Sequence, residues 1–364
     1  MLKCVILRTA AALVAAVLLC PCPAEAISAQ KAIVMDAQTG RVLYEKQADQ
    51  QSLIASTTKI MTALIVCQQC NVLDRMQIPK EAVGIEGSSM YLQEGEVLTL
   101  QELLYGLMLS SGNDAAMALA IYCAGTAEGF VQLMNDKARM LGMHNTHFAN
   151  PHGLDAPGHY STARDLAILA RYAMADPIFA QTVGTKTVTV GNRHLTNHNK
   201  LLWQLEGADG VKTGFTKAAG RILVSSARRQ GRRLICVTIN DGNDWADHRA
   251  LLEEGFAHYR HQTLVEEGQI VGTLAVFGGV KEWVDVVASE PFSYPTAEGE
   301  KITLVLSAKG LCYAPVVAGA DAGFAYICID GKAVGKICVT YYETIEQPAK
   351  EKKGFWQRWL GDKP

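Results

Sequence analysis

The chain is short of several things, and each absence removes a class of protein. After its first residues no apolar stretch is long enough to span a bilayer, so no internal transmembrane segment is expected. An excess of charge of one sign is missing: the formal net charge is -2 over 364 residues, which leaves no electrostatic basis for a nucleic-acid partner. There is no internal repeat and no low-complexity tract, which excludes solenoids and compositionally biased chains. Metal-ligand spacing is also lacking. Cys67-Gln68-Gln69-Cys70 has no second C-x-x-C to complete a site, and His144 and His147 sit apart in a loop of their own. His152, His159, His194 and His198 likewise fall on turns and loops without a ligand set, so neither a metal nor a cofactor is expected. An even set of cysteines is missing too. Of ten, Cys4, Cys20 and Cys22 lie in the first residues, and the remaining seven cannot all pair. Most of those sit among apolar neighbours, as in Ile235-Cys236-Val237, so free thiols are expected.

What is present begins with a leader. Lys3 and Arg8 form a basic end, Ala10 to Leu19 is a short apolar run, and Ala24-Glu25-Ala26 fits a small-x-small cleavage site. Residues 1–26 therefore read as a signal peptide, and the mature chain as exported: to the outer face of the cytoplasmic membrane, the periplasm or the cell wall. The rest divides by texture. Residues 27–260 open with two strands separated by the turn Asp36 to Gly40, pass through a helical middle, and return to strands at Ile222–Ala227 and Leu234–Ile239. Strands from both ends enclosing helices predict an α+β domain. Within it the spacing of Leu100, Leu103, Leu104, Leu107 and Met108 predicts a helix, as do the stretches after Asp114, Phe130, Thr162 and Asp247. Residues 261–345 lose helical periodicity and read as a small all-β domain, with Asp330-Gly331 as a hairpin turn. Residues 346–364 form a basic tail in which Lys350, Lys352, Lys353, Arg358 and Lys363 surround Phe355, Trp356, Trp359 and Leu360. An amphipathic segment of that composition suits a membrane surface.

The stretch around which this is organised is Ala55-Ser56-Thr57-Thr58-Lys59-Ile60-Met61. Hydroxyl residues before an apolar run predict a helix starting near Ser56. Ser56 and Lys59, three apart, then share a face, and a serine oxygen beside a buried amine is an activated nucleophile. The spacing alone is weak. Ser28-Ala29-Gln30-Lys31 repeats it with no helix start around it.

Two further motifs raise it. Ser111-Gly112-Asn113 and Lys212-Thr213-Gly214 follow in order, each occurring once, and this ordered trio marks β-lactamases and penicillin-binding proteins. With the segments Asp36–Tyr44, Asn150–Asp165, Asp209–Gly220 and Ala314-Pro315-Val316, the chain resembles the low-molecular-weight penicillin-binding proteins, specifically the D-alanyl-D-alanine carboxypeptidases. The resemblance covers nearly all of the mature chain. It implies a β-lactamase/transpeptidase-like domain, an antiparallel sheet with a helical subdomain, then a β-rich domain and a membrane-associating tail. It implies a peptidoglycan stem peptide ending in D-Ala-D-Ala as substrate, and β-lactams as covalent inhibitors.

On that resemblance Ser56 attacks and Lys59, neutral near Lys212, takes its proton. Ser111 relays a proton to the leaving amine, and Asn113 holds the substrate amide. Lys212 supplies positive charge, Thr213 and Thr216 offer hydroxyls to the terminal carboxylate, and Gly214 lets substrate approach the strand. Backbone N–H groups of Ser56 and Phe215 form the oxyanion hole, and Arg249 is a carboxylate partner. Phe215 stands where some relatives have histidine. Two alternatives remain. A class A-like β-lactamase needs a glutamate to activate water, and none lies between Glu128 and Glu206. A non-catalytic wall-binding protein would not need the complete trio.

Overall fold

A computed structural model describes residues 27–349. The expected leader and the tail from residue 350 lie outside the described residues. Two compact units are present, one ending at Leu252 and the other starting at Glu253.

The first unit is built on a five-stranded antiparallel sheet. Its strands are β1 (Lys31–Asp36), β2 (Val42–Lys46), β3 (Ala208–Thr216), β4 (Gly220–Arg229) and β5 (Arg232–Ile239), in the order β2-β1-β5-β4-β3. The start of the chain thus pairs with the last strand of the unit, Ile33 opposite Val237, as the enclosing pattern of the sequence predicts. β3, which carries Lys212-Thr213-Gly214, is an edge strand with one side open.

Between β2 and β3 lie, among the described residues, six helices of eight residues or more: α1 (Lys59–Gln69), α2 (Leu100–Leu109), α3 (Asn113–Ala124), α4 (Ala127–Met140), α5 (Ala163–Ala173) and α6 (Pro177–Gly184). α1 packs against each of the other five. Nine of its eleven residues are buried, which is why its apolar residues run round every face rather than along a stripe. The local signals agree with the helix ends. Thr99 and Glu102 close a capping box on α2, and Thr162 accepts from Asp165 N at 3.0 Å at the start of α5. Asp176 caps α6, with Pro177 in its first turn. Among the described residues no single helix is long and apolar enough to cross a membrane.

The spare Ser28/Lys31 pair tests the spacing argument. Lys31 opens β1, where residues three apart face opposite sides. Ser28 Oγ donates to Asp241 Oδ1 at 2.7 Å, whereas Lys31 Nζ reaches Ser52 Oγ, so the two side chains never meet.

The second unit is all-β in its strands, as expected. A six-stranded sheet runs β10 (Ile302–Ala308), β12 (Asp321–Ile329), β13 (Lys332–Tyr341), β8 (Trp283–Ala288), β7 (Ile270–Phe277), β11 (Cys312–Tyr313), and β6 (Tyr259–Val265) pairs separately with β9 (Phe292–Ala297). Asp330 and Gly331, with φ of 48° and 79°, make the predicted two-residue turn between Ile329 and Lys332.

Helix α7 (Asp244–His258) places His248, fully buried, against β4 and β5. Its Nδ1 is 2.6 Å from Ser225 Oγ and its Nε2 2.9 Å from Thr238 Oγ1. Both ring nitrogens meet hydroxyls rather than carboxylates, and burial depresses its pKa to about 3. The native state therefore holds His248 neutral while the unfolded chain binds a proton below its ordinary pKa of about 6.5. This contribution is complete above about pH 6.5 and is lost as pH falls towards 3, by up to about 1.4 kcal/mol per unit. His152 and His159, both held near 4 mainly by burial, add to the same trend. Thermal unfolding between pH 7 and 4 should show a falling Tm, and His248→Gln should flatten the slope. An equal slope in that variant would assign the acid sensitivity elsewhere.

Candidate active site

Ser56 lies in a single 3₁₀ turn, Ala55–Thr58, that runs straight into α1. The predicted helix start is correct in position, but its first turn is tighter, and Ala55 holds a left-handed φ of 46°. The turn is braced from behind by the loop Asn150–Leu154. Asn150 Oδ1 accepts from Gly153 N at 2.7 Å and its Nδ2 donates to Leu154 O at 2.8 Å. Thr62 Oγ1 on α1 donates to Pro151 O at 2.6 Å. Gly153, at φ +92°, packs so closely that a Cβ there would lie 2.0 Å from Ala55 O. His159 completes the brace: Ala149 N donates to its Nδ1 at 3.0 Å, so Nε2 carries the hydrogen and donates to Thr58 Oγ1 at 2.8 Å.

This bracing turns His152 O towards Lys59. The Nζ of Lys59 has three neighbours: Asn113 Oδ1 at 2.6 Å, His152 O at 2.6 Å and Ser56 Oγ at 3.0 Å. Lys59 is fully buried, and its pKa lies well below the ordinary value. Burial is the largest cause, the nearby Lys212 charge adds to it, and Asp114 opposes both. A neutral amine has two hydrogens and one lone pair. Asn113 Oδ1 and His152 O take the hydrogens, so the lone pair faces Ser56 Oγ–H. After a proton transfer the ammonium has three hydrogens for the same three acceptors. The cage therefore fits both protonation states without moving a heavy atom.

Lys212, also buried on β3, donates to Thr213 O at 3.0 Å, and burial lowers its pKa to about 7. Ser111, just past the end of α2, has a left-handed φ of 60°, and Asn113 begins α3; Ser56, Ser111 and Thr213 line one cleft, so all three motifs meet at one place. In front of them opens a cleft of about 420 Å³ lined by Ser56, Ser111, Thr213, Phe215, Arg221 and Trp245, among others. Among the described residues no cluster of three or more His, Cys, Asp or Glu side chains could hold a metal.

Four of the expected residues have further engagements or lie away from the cleft. Asn113 Oδ1 accepts from Lys59 Nζ at 2.6 Å and its Nδ2 donates to Glu86 O at 2.5 Å, so the carboxamide positions Lys59 and keeps one N–H and one lone pair over. A Cβ at Gly214 would point at Ile54 O, 3.2 Å away, and Thr57 N, 3.3 Å away. That glycine lets β3 close on the nucleophile turn, and it also lines the cleft. Thr216 lies outside the cleft lining, and its hydroxyl is engaged with Asp155 Oδ1 at 3.2 Å and Ala219 N at 3.0 Å. Arg249 is exposed on α7 with Gln204 O at 3.5 Å and does not line the cleft. The guanidinium that does is Arg221, which the motifs passed over. Asp244 grips it at 2.6 Å to 3.1 Å, and it lies 5.7 Å from the centre of the Trp245 ring. Counting across the tight hairpin from the K-T-G strand would have found it, since Arg221 pairs directly with Phe215.

Comparison with known proteins agrees with this geometry. Residues 20–243 match the family described as D-alanyl-D-alanine carboxypeptidase, and residues 259–347 match the penicillin-binding protein 5 C-terminal domain. The chain belongs to the D-alanyl-D-alanine carboxypeptidase family. It is 32% identical to the D-alanyl-D-alanine carboxypeptidase DacF of Bacillus subtilis, over 88% of this chain and 86% of that protein. It is 36% identical to DacD of Escherichia coli, over 75% and 74%. The crystal structure of penicillin binding protein 5 from Haemophilus influenzae superposes with a TM-score of 0.75 at 30% identity, covering 90% of this chain and all of that one. The expected transpeptidase-like fold, sheet with helical part and then an all-β domain, is thus that of a low-molecular-weight penicillin-binding protein.

In this carboxypeptidase the Gly153 contact fixes both the Ser56 turn and the His152 carbonyl. Gly153→Ala should slow acylation of the protein by labelled penicillin roughly 10²-fold, the scale expected of a displacement of about 1 Å. A circular dichroism spectrum would show that the variant folds. Acylation at the parent rate would mean that the brace is not needed.

Proposed function

We propose that Ser56 is the acylated residue of this serine-type D-Ala-D-Ala carboxypeptidase, and that Lys59 is its general base. The observation that carries the proposal is the Nζ to Oγ separation of 3.0 Å inside a cage that suits both states of the amine. Ser56 Oγ attacks the carbonyl carbon of the penultimate D-Ala, and its proton moves to Lys59 Nζ. Negative charge on the carbonyl oxygen is met by the backbone N–H groups of Ser56 and Phe215. The C–N bond breaks as Ser111 relays the proton from Lys59 to the departing D-Ala nitrogen, and water then cleaves the ester. Lys212 holds positive charge near the cleft, Thr213 offers its hydroxyl to the terminal carboxylate, and Arg221 takes the carboxylate-partner role that the resemblance implies for Arg249.

The catalytic domain on this reading is 27–260 and the β-rich domain 261–345. Kinship with proteins of the bacterial wall supports an envelope location. Export by the leader and attachment of the tail to the membrane surface rest on composition. The five basic residues of 350–364 would each contribute about 1 kcal/mol near an anionic surface.

Peptide and penicillin both acylate Ser56, and the step that separates them is deacylation. A D-alanyl acyl-enzyme loses its leaving group and admits water, whereas the penicilloyl group keeps its leaving group tethered. Among the described residues the cleft is lined by one carboxylate, Asp244, which Arg221 already engages. No dedicated base for water is therefore at hand, a deficit worth ~10²–10⁴-fold. A peptide ending in D-Ala-D-Ala should release D-Ala steadily, while penicillin leaves a persistent mass increase on the peptide containing Ser56. Ser56→Ala should abolish both. Rapid turnover of penicillin without an adduct would instead favour a β-lactamase.

A further inference from the structure

The second unit carries an aromatic face with no partner among the described residues. Its geometry follows from register. Ala275 on β7 pairs with Trp283 on β8, and Phe277 on β7 with Tyr313 on β11. Paired residues point to the same side of a sheet, and residues two apart on a strand do likewise. Phe277, Tyr313 and Trp283 therefore share one face. Tyr342 joins them, because its N–H donates to Asp285 O and Asp285 lies two residues beyond Trp283. The opposite face holds the buried Val276, Val284 and Cys312. All four aromatic side chains are largely in solvent: Phe277 49% exposed, Trp283 60%, Tyr342 62% and Tyr313 63%. Phe277 and Tyr313 already touch, with ring centres 5.6 Å apart.

Two observations bear on what covers this face. The first is where the chain goes. Val280 N donates to Glu346 O at 3.0 Å and Gln347 Nε2 to Ala314 O at 2.6 Å, so residues 346 and 347 lie beside the ends of β7 and β11. The chain enters 350–364 within three residues of that point. The second is charge. Residues 270–285, 311–317 and 340–347 contain Glu282, Asp285, Glu343 and Glu346 against Lys281, a net charge of -3. The segment 350–364 contains five Lys and Arg against Glu351 and Asp362, a net charge of +3. Asp285 shares the aromatic face, and the net negative charge of these segments favours a basic segment over an anionic lipid surface.

We propose that the tail, residues 350–364, docks on this face, with Phe355, Trp356 and Trp359 against Phe277, Trp283, Tyr313 and Tyr342. The sizes match. Four adjacent strands span about 14 Å, and fifteen residues as a helix extend about 22 Å. A short tether gives the tail an effective concentration in the millimolar range, so a weak contact is enough to fill the face. A membrane competes for the same tail aromatics, and binding there uncovers the face. The inference is independent of the catalytic reading, since no residue of the face lines the cleft.

The test is hydroxyl-radical footprinting of the full mature chain in the absence of lipid, read by mass spectrometry at Trp283, Tyr313 and Tyr342. In the parent these should be labelled several-fold less than in the variant Trp356→Ser/Trp359→Ser. Raising the salt should weaken the protection, and anionic vesicles should remove it while they bind the protein. Equal labelling in parent and variant would overturn the proposal. Protection that grows with protein concentration would place a second copy on the face. Protection that appears only with vesicles would place lipid there. Either result would also overturn it. Release of D-Ala from a soluble peptide should be unchanged in the tail variant, and a loss there would concern the catalytic reading and not this one.

Discussion

One amine holds the site together. Lys59 Nζ is removed from water, and a bare ammonium there would cost several kcal/mol. The three oxygen atoms around it lessen that cost without abolishing it, so the pKa falls while the geometry stays fixed. Each oxygen comes from a different part of the chain: Ser56 from the turn before α1, Asn113 from the start of α3, and His152 from the Asn150–Leu154 loop. Much of the first unit can be read as the means of bringing these three segments to one atom.

The supporting layers follow. α1 is buried on all sides and therefore cannot shift relative to the five helices around it. Gly153 and Gly214 remove the two side chains that would hold the loop and the edge strand away from the Ser56 turn. Strand β3 brings Lys212 close enough for its charge to act on Lys59, yet leaves its own outer edge open to the cleft. That openness suits an extended peptide lying alongside β3. Arg221, fixed by Asp244, sets a cation at the cleft.

Much of this was legible in the sequence because it is local. Caps at Thr99 and Thr162, the Asp330-Gly331 turn and the all-round apolar α1 are decided by neighbours in the chain. So is the Ser56/Lys59 pair, once a helix start separates it from Ser28/Lys31. Helix α6 was missed although Asp176-Pro177 announced it. Contacts across the sheet are not legible in this way. Arg249 was chosen by its place along α7, but a helix turns a side chain by 100° per residue, and this one faces away. Thr216 sits close to the K-T-G triplet in sequence, but the turn into β4 claims its hydroxyl. The partner of the Asn113 amide nitrogen, Glu86 O, lies in a loop with no signal of its own. These are long-range contacts, and a motif does not record them.

The central claim is that Lys59 is a neutral base at working pH because burial and the Lys212 charge hold its pKa down. The direct measurement is the pH dependence of the rate at which penicillin acylates Ser56, in the parent and in Lys212→Met. Protonation of Lys59 removes the base, so the rate should fall on the acid side. Removing the Lys212 charge allows Lys59 to keep its proton to higher pH, so the acid limb should move upward in the variant, whatever happens to the maximal rate. An acid limb at the same pH in both proteins would contradict the account.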